Sequence, residues 1–135
     1  MNALRTLLVG TLLAMLAACA SSRATHGRTG VEATYFGRDL EAVLPADVTV
    51  PQAAAAAEAT LLATGYVMAE RTVVSGRARL VASAPDRSGL PLDRTPVVVI
   101  KPVLNGTRTI VTVEPFGDEE LSRRILDGML ARLGR

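Results

Sequence analysis

Residues 97–114 constrain the fold most, because their sequence, VVVIKPVLNGTRTIVTVE, predicts a β-hairpin. Two arms rich in β-branched residues flank Asn105-Gly106, the pair preferred in two-residue type I′ turns. With that pair as the loop, Leu104 lies opposite Thr107. The same register predicts that one face points toward the core, and this face carries Val98, Ile100, Val111 and Val113. The chain should therefore contain an antiparallel sheet with one apolar face.

One helix is predicted before this region and one after it. Thr49 and Gln52 have the spacing of a capping box, and Gly65 stands where a left-handed C-terminal cap is expected. Residues 115–135 predict the second helix, because three acidic residues open it and arginines close it, as the helix dipole favours. Gly117 is predicted to cap this helix, with Phe116 packing on Leu121 as a hydrophobic staple.

The remaining apolar runs predict strands. Residues 31–44 indicate one bent strand or two short strands broken at Gly37, and two strand-like runs joined at Ser75-Gly76 follow the first helix. The expected order is β-α-β-β-β-α. We expect an α+β domain over residues 31–135, with an antiparallel sheet of about four or five strands and both helices packed on one face.

The first 18 residues have the three-part layout of a secretory signal: a short charged start, an apolar run and small residues at the cleavage point. The apolar run is shorter than the roughly 20 residues that a membrane-spanning helix needs. Leu16-Ala17-Ala18-Cys19 matches the lipobox of bacterial lipoproteins. The resemblance implies a diacylglyceryl group on Cys19, cleavage before it and usually N-acylation, so that acyl chains anchor the protein in a membrane. The alternative is a conventional signal cut elsewhere, with Cys19 incidental.

Residues 19–30 follow as the lipidated cysteine and a small, polar segment. The composition predicts a flexible tether with a reach of roughly 15–20 Å. By the sorting rule of enteric-type bacteria, Ala20 favours the outer membrane over the inner membrane. The expected location is therefore the outer membrane, with the domain facing the periplasm.

The whole pattern resembles a family of small bacterial lipoproteins catalogued as a domain of unknown function. The most recognisable part is the ending, in which Gly117-Asp118, Ser122 and Ile125-Leu126 occupy family positions, and Gly65-Tyr66 after the first helix also fits. The hairpin loop at residues 103–107 is more apolar than the family pattern. This resemblance implies a fold and a location, but no activity.

Composition argues against several classes of function. The formal net charge is +2 with 15 basic residues, of which Arg5 would leave with the signal, so no basic excess predicts nucleic-acid binding. His26 is the single histidine and Cys19 the single cysteine, and His26 is expected to be solvated in the tether. A serine–histidine hydrolase, a zinc site and a phosphate-binding loop therefore lack their residues. We expect no enzyme activity, no metal and no cofactor.

The candidate interaction face lies on the outer side of the sheet, where Val97, Val99 and Ile110 form an apolar stripe. Such a stripe indicates an envelope protein partner or a homo-oligomer, although β-branched residues also simply favour strands. Arg77 and Arg79 alternate on a nearby strand, and this pattern indicates either an ordinary polar strand face or a site for lipid phosphate or a carboxylate polymer. We expect a lipid-anchored, non-catalytic binding or structural accessory protein. The alternative is a small-ligand or lipid-binding carrier in the periplasm.

Overall fold

The computed structural model describes residues 21–85 and 94–135, which form seven strands and two helices. The strands are β1 (Ser22–His26), β2 (Val31–Phe36), β3 (Asp39–Leu44), β4 (Val67–Val74), β5 (Arg77–Ser83), β6 (Thr95–Val103) and β7 (Gly106–Glu114). The helices are α1 (Val50–Ala63), between β3 and β4, and α2 (Glu119–Arg132), after β7.

All strands belong to one antiparallel sheet with the order β1-β2-β3-β7-β6-β5-β4. The chain leaves β3 in the middle, crosses through α1 to the far edge, and returns strand by strand until β7 pairs with β3. Helix α1 packs over β4, β5 and β6, helix α2 packs over β1, β3 and β7, and the two helices touch each other. The predicted α+β class, the antiparallel sheet and the two packed helices are confirmed.

The predicted strand number and order are wrong. The order is β-β-β-α-β-β-β-β-α, because four strands lie between the helices: each of the two runs and each arm of the hairpin forms its own strand. Residues 31–44 form two strands that part at Gly37-Arg38, which confirms the two-strand interpretation.

The predicted flexible tether is wrong for Ser22–His26, since this segment is strand β1. It pairs with β2 from Ser22 opposite Tyr35 to His26 opposite Val31. The physical reason is that alternate residues of the segment, Ser22, Ala24 and His26, are the more buried ones, and that α2 binds Ser22 and His26 through the Arg123 and Asp127 side chains. The predicted signal at residues 1–18 and the lipidated Cys19 lie outside the described residues.

The hairpin is confirmed, but its register and loop differ from the prediction. Val103 lies opposite Gly106, so the loop is Leu104-Asn105. Relative to the prediction, the partner of each residue in the hairpin is shifted by an even number of positions. Every side chain therefore keeps its predicted face. Gly106 has a φ of 148°, and a Cβ there would overlap the carbonyl oxygen of Leu44. Close packing against β3 places this glycine in the strand rather than in the turn.

The core lies between the sheet and the helices and consists of small and aliphatic side chains. Helix α1 contributes four alanines. The large side chains of the core are fully buried Leu, Ile, Val and Met residues. The two helices approach closely at Gly128, where a Cβ would lie 2.5 Å from Cγ2 of Thr60. An alanine-rich α1 and a glycine in α2 thus allow this approach.

The predicted cap of α1 is confirmed, and that of α2 is displaced by one residue. Thr49 and Gln52 form the capping box. The N-cap of α2 is Asp118 rather than Gly117, and its carboxylate accepts a hydrogen bond from the Leu121 amide at 2.9 Å. Phe116 does not act as a staple, because it is 75% exposed.

Candidate functional site

The face of the sheet opposite the helices, here called the outer face, holds the predicted interaction residues. Val99 lies directly opposite Ile110 on β7 and opposite Arg79 on β5. Val99 and Ile110 are half-buried, whereas Val97 is only 7% exposed and has little surface left for a partner. The structure therefore brings Val99, Ile110 and Arg79 together and leaves Val97 as a packing residue of the same stripe.

Arg77, the first residue of β5, extends this region. Arg77, Arg79 and Val99 line a shallow hollow of about 610 Å³ together with the end of β4. Arg79 pairs with Glu70 at 2.8 Å, while Arg77 is exposed and makes no ion pair with the described residues. A guanidinium beside a half-buried valine suits a partner that presents a carboxylate or phosphate next to apolar surface.

Ion pairs between neighbouring strands border the stripe on the side of β3. Glu41 pairs with Arg108 at 3.0 Å, and the Thr112 hydroxyl donates to Asp39 at 2.6 Å. Exposed pairs of this kind contribute about 0–1 kcal/mol each. Their main consequence is that the carboxylates of β3 already have partners.

A second hollow, of about 570 Å³, lies on the outer face of β2 and β3 and has three carboxylates in its lining. Asp39 and Glu41 have the partners named above, and Glu32 lies 3.8 Å from Arg23. Within residues 21–85 and 94–135, no three His, Cys, Asp or Glu side chains come together in a way that could hold a metal ion.

A polar cluster that the sequence analysis missed joins β1 to α2. His26 is 8% exposed, in contrast to the predicted solvated residue. Its Nδ1 lies 2.7 Å from an Asp127 carboxylate oxygen, and its Nε2 lies 2.8 Å from Nη1 of Arg123. Because a guanidinium only donates, Nε2 must accept, which assigns the ring proton to Nδ1. Arg123 also donates to the Ser22 hydroxyl at 2.9 Å and pairs with Glu119 at 2.7 Å.

This arrangement fixes an edge strand and has the wrong geometry for a hydrolase. A serine–histidine nucleophile needs the imidazole to accept the proton of the hydroxyl, but here Arg123 occupies the accepting nitrogen. Hydrogen bonds from Ser22 and Arg123 lower the pKa of Glu119. The signal that could have revealed the cluster is the i,i+4 spacing of Glu119, Arg123 and Asp127 along one helix face.

Tyrosine 35 lies beside this cluster. Burial raises the pKa of its phenol, and the carboxylates of Glu119, Asp118 and Asp39 raise it further. The phenol therefore stays neutral, and its ring packs against the core.

Within the part of the chain that the structure describes, no helix is both long and apolar enough to cross a membrane. Leu16, Ala17, Ala18 and Cys19 precede the described residues. Comparison with protein-family models gives no match, and comparison with curated proteins gives none either.

Proposed function

We propose that this chain is a lipid-anchored envelope lipoprotein, of the kind that its sequence resembles, and that its domain binds a protein partner without catalysis. The proposed address is the outer membrane, with the domain in the periplasm. The observation that carries the binding proposal is the outer face, where Val99 and Ile110 lie side by side within a sheet whose other face is covered by two helices.

The outer face supports binding because its centre is apolar and its borders are charged. Half-buried Val99 and Ile110 have lost part of their water contact already and would lose the rest under a partner. Arg77 and Arg79 stand at the border, where they would select the partner by charge. This distribution, with apolar residues at the centre and polar residues around them, is that of protein interfaces. The partner is a second copy of the chain or another envelope protein.

The described residues also support a non-catalytic role. His26, the group best suited to general base chemistry, is buried between Asp127 and Arg123. The carboxylates that line the second hollow each have a cationic or hydroxyl partner. These contacts stabilise the fold, and they leave the outer stripe as the better candidate for function.

The test introduces a carboxylate into the stripe in two separate variants, Val99→Asp and Ile110→Asp. They are not combined, because carboxylates directly opposite each other on paired strands repel. We expect both variants to fold and to lose the crosslinks that the protein without substitutions makes in intact cells. Ala55→Asp and Ala131→Asp, on exposed helix positions, are the matched controls and should keep the crosslinks.

An unchanged crosslinking pattern and oligomeric state in folded Val99→Asp would show that the outer face is not an interface. If a variant does not fold, Val99→Thr and Ile110→Thr remove apolar contact while keeping a β-branched side chain. Native mass spectrometry of the delipidated protein tests the alternative, because a carrier would retain a co-purified small ligand or lipid.

A further inference from the structure

We infer that one end of the domain docks on the phospholipid bilayer, with the rings of Phe36 and Phe116 inserted at the boundary between headgroups and acyl chains. This surface, here called the anchor end, comprises Ser22, the β2–β3 turn and the β7–α2 connection. The inference rests on the proposed anchor at Cys19. It adds an orientation and a second membrane contact to that proposal.

Phe36 and Phe116 are the only two phenylalanines of the chain, and both are exposed. Their exposed fractions are 59% and 75%. Phenylalanine is among the side chains most often buried in proteins, whereas the core of this domain consists of aliphatic side chains and alanine. A domain poor in aromatic residues that exposes both of its phenylalanines therefore has a reason to expose them.

The two rings belong to one end of the sheet. The Arg38 guanidinium, in the β2–β3 turn, donates to the carbonyl oxygen of Pro115 at 2.9 Å. A Cβ at Gly117 would lie 3.0 Å from Cα of Arg38, so the two backbones are in contact there. The turn after Phe36 and the connection that contains Phe116 consequently form one surface.

The proposed lipid would be attached at this same end. Ser22 lies opposite Tyr35, the residue before Phe36. Cys19 precedes Ser22 by three residues, which span at most about 11 Å even when fully extended. The acyl chains would therefore enter the bilayer within about 11 Å of the strand that leads to Phe36. The opposite end, which carries the β6–β7 turn at Leu104, is roughly 30 Å away along the nine residues of β7.

Because β1 is part of the sheet, this short connection restricts the orientation of the whole domain. A tether from residue 19 to residue 30 would have let any surface face the membrane. A strand that begins at Ser22 instead holds the anchor end against the lipid, and its ion-paired cluster with α2 fixes it there.

Charge at the anchor end does not select for anionic lipid. Arg38, Arg94 and Arg124 are exposed, and the exposed carboxylates of Asp39, Glu114 and Glu120 balance them. The apolar groups at this end are the proposed acyl chains and the exposed rings of Phe36, which borders the hollow of β2 and β3, and Phe116. Amphipathic surfaces bind the bilayer interface in proportion to the apolar area they bury. We therefore expect docking on zwitterionic vesicles.

The chain contains no tryptophan, so a single substitution gives a clean depth probe. Phe116→Trp and Phe36→Trp place the probe at the anchor end, and Leu104→Trp, at a residue 99% exposed, is the control at the opposite end. Each full-length protein is purified from membranes and reconstituted into phosphatidylcholine vesicles, with or without brominated acyl chains. We expect blue-shifted, bromine-quenched emission from Phe116→Trp and Phe36→Trp, and unquenched emission from Leu104→Trp.

Any of three results would overturn the inference. If the protein floats with the vesicles but Phe116→Trp is unquenched, or if Leu104→Trp is quenched equally, the anchor stands and the docking surface is wrong. If the protein does not float and its mass shows an unmodified Cys19, the proposed anchor fails and the docking surface fails with it.

Discussion

The two faces of the sheet come from the same strands and have opposite chemistry. Along β6, Val98 is fully buried under the helices, while its neighbour Val99 is half-buried on the outer face. Away from the His26 cluster at β1, the covered face packs small and aliphatic residues against one another. The outer face joins neighbouring strands by ion pairs such as Glu41–Arg108 and leaves Val99 and Ile110 at its centre. One face therefore maintains the fold, and the other is the face that we propose for binding.

The largest expected difference is between Val98→Ala and Val99→Ala. The two substitutions remove the same atoms from adjacent strand positions. The loss of β propensity is therefore the same in both and cancels when their unfolding free energies are compared. Val98→Ala should lower the free energy of unfolding by about 2 kcal/mol, through lost burial and a cavity. Val99→Ala should lower it by less than about 1 kcal/mol. Urea denaturation measures both, and equal losses would mean that the outer face is packed as tightly as the core.

The second prediction concerns the close contact between the two helices on the covered face. Gly128→Ala places a methyl group 2.5 Å from Cγ2 of Thr60 and should destabilise the fold by about 1–3 kcal/mol, despite the better helix propensity of alanine. Thr60→Ala makes room for that methyl group. The double variant should therefore regain most of the loss in a double-mutant cycle. Simple additivity of the two effects would show that the helices are not in contact there.

The third and smallest effect concerns Glu119, at the junction of β1 and α2. Its pKa is lowered in the folded protein by hydrogen bonds from Ser22 and Arg123. Because its pKa is lowered in the folded state, ionised Glu119 stabilises the fold at pH values above the ordinary glutamate pKa of 4.5. This contribution is lost as the pH falls through the folded-state pKa. Glu119→Gln should flatten the stability profile in acid and leave the difference between pH 7 and pH 8 unchanged. An unaltered acid profile would show that the cluster does not couple to the stability of β1.

Local patterns were enough to predict much of the fold. The Thr49–Gln52 capping box, the break at Gly37 and the core face of the hairpin all depend on residues close in sequence, and each is confirmed. The register of the hairpin was wrong because it depends on β3: the carbonyl of Leu44 leaves space only for a glycine at Gly106. No local pattern contains that contact.

The spacing of Glu119, Arg123 and Asp127 marks the half of the cluster that lies on α2, but the edge strand that it contacts could not be predicted from local patterns. Ser22–His26 is short and polar, and it becomes a strand because β2 offers it a partner and α2 offers it Arg123 and Asp127. The contacts of His26 with Arg123 and Asp127 join residues 97 and 101 positions apart. The outer stripe, by contrast, follows from alternation alone, and Val99 and Ile110 lie where alternation places them.

The most direct test of the account is the mass of the mature N-terminal peptide, measured from inner and outer membranes that have been separated. The account predicts a peptide that begins at Cys19, carries diacylglyceryl or triacyl modification, and is found in the outer membrane. An unmodified N-terminus in the soluble fraction would contradict it. Cys19 would then be an ordinary thiol, and the anchor, the docking of Phe36 and Phe116 and the envelope partner would all have to be withdrawn.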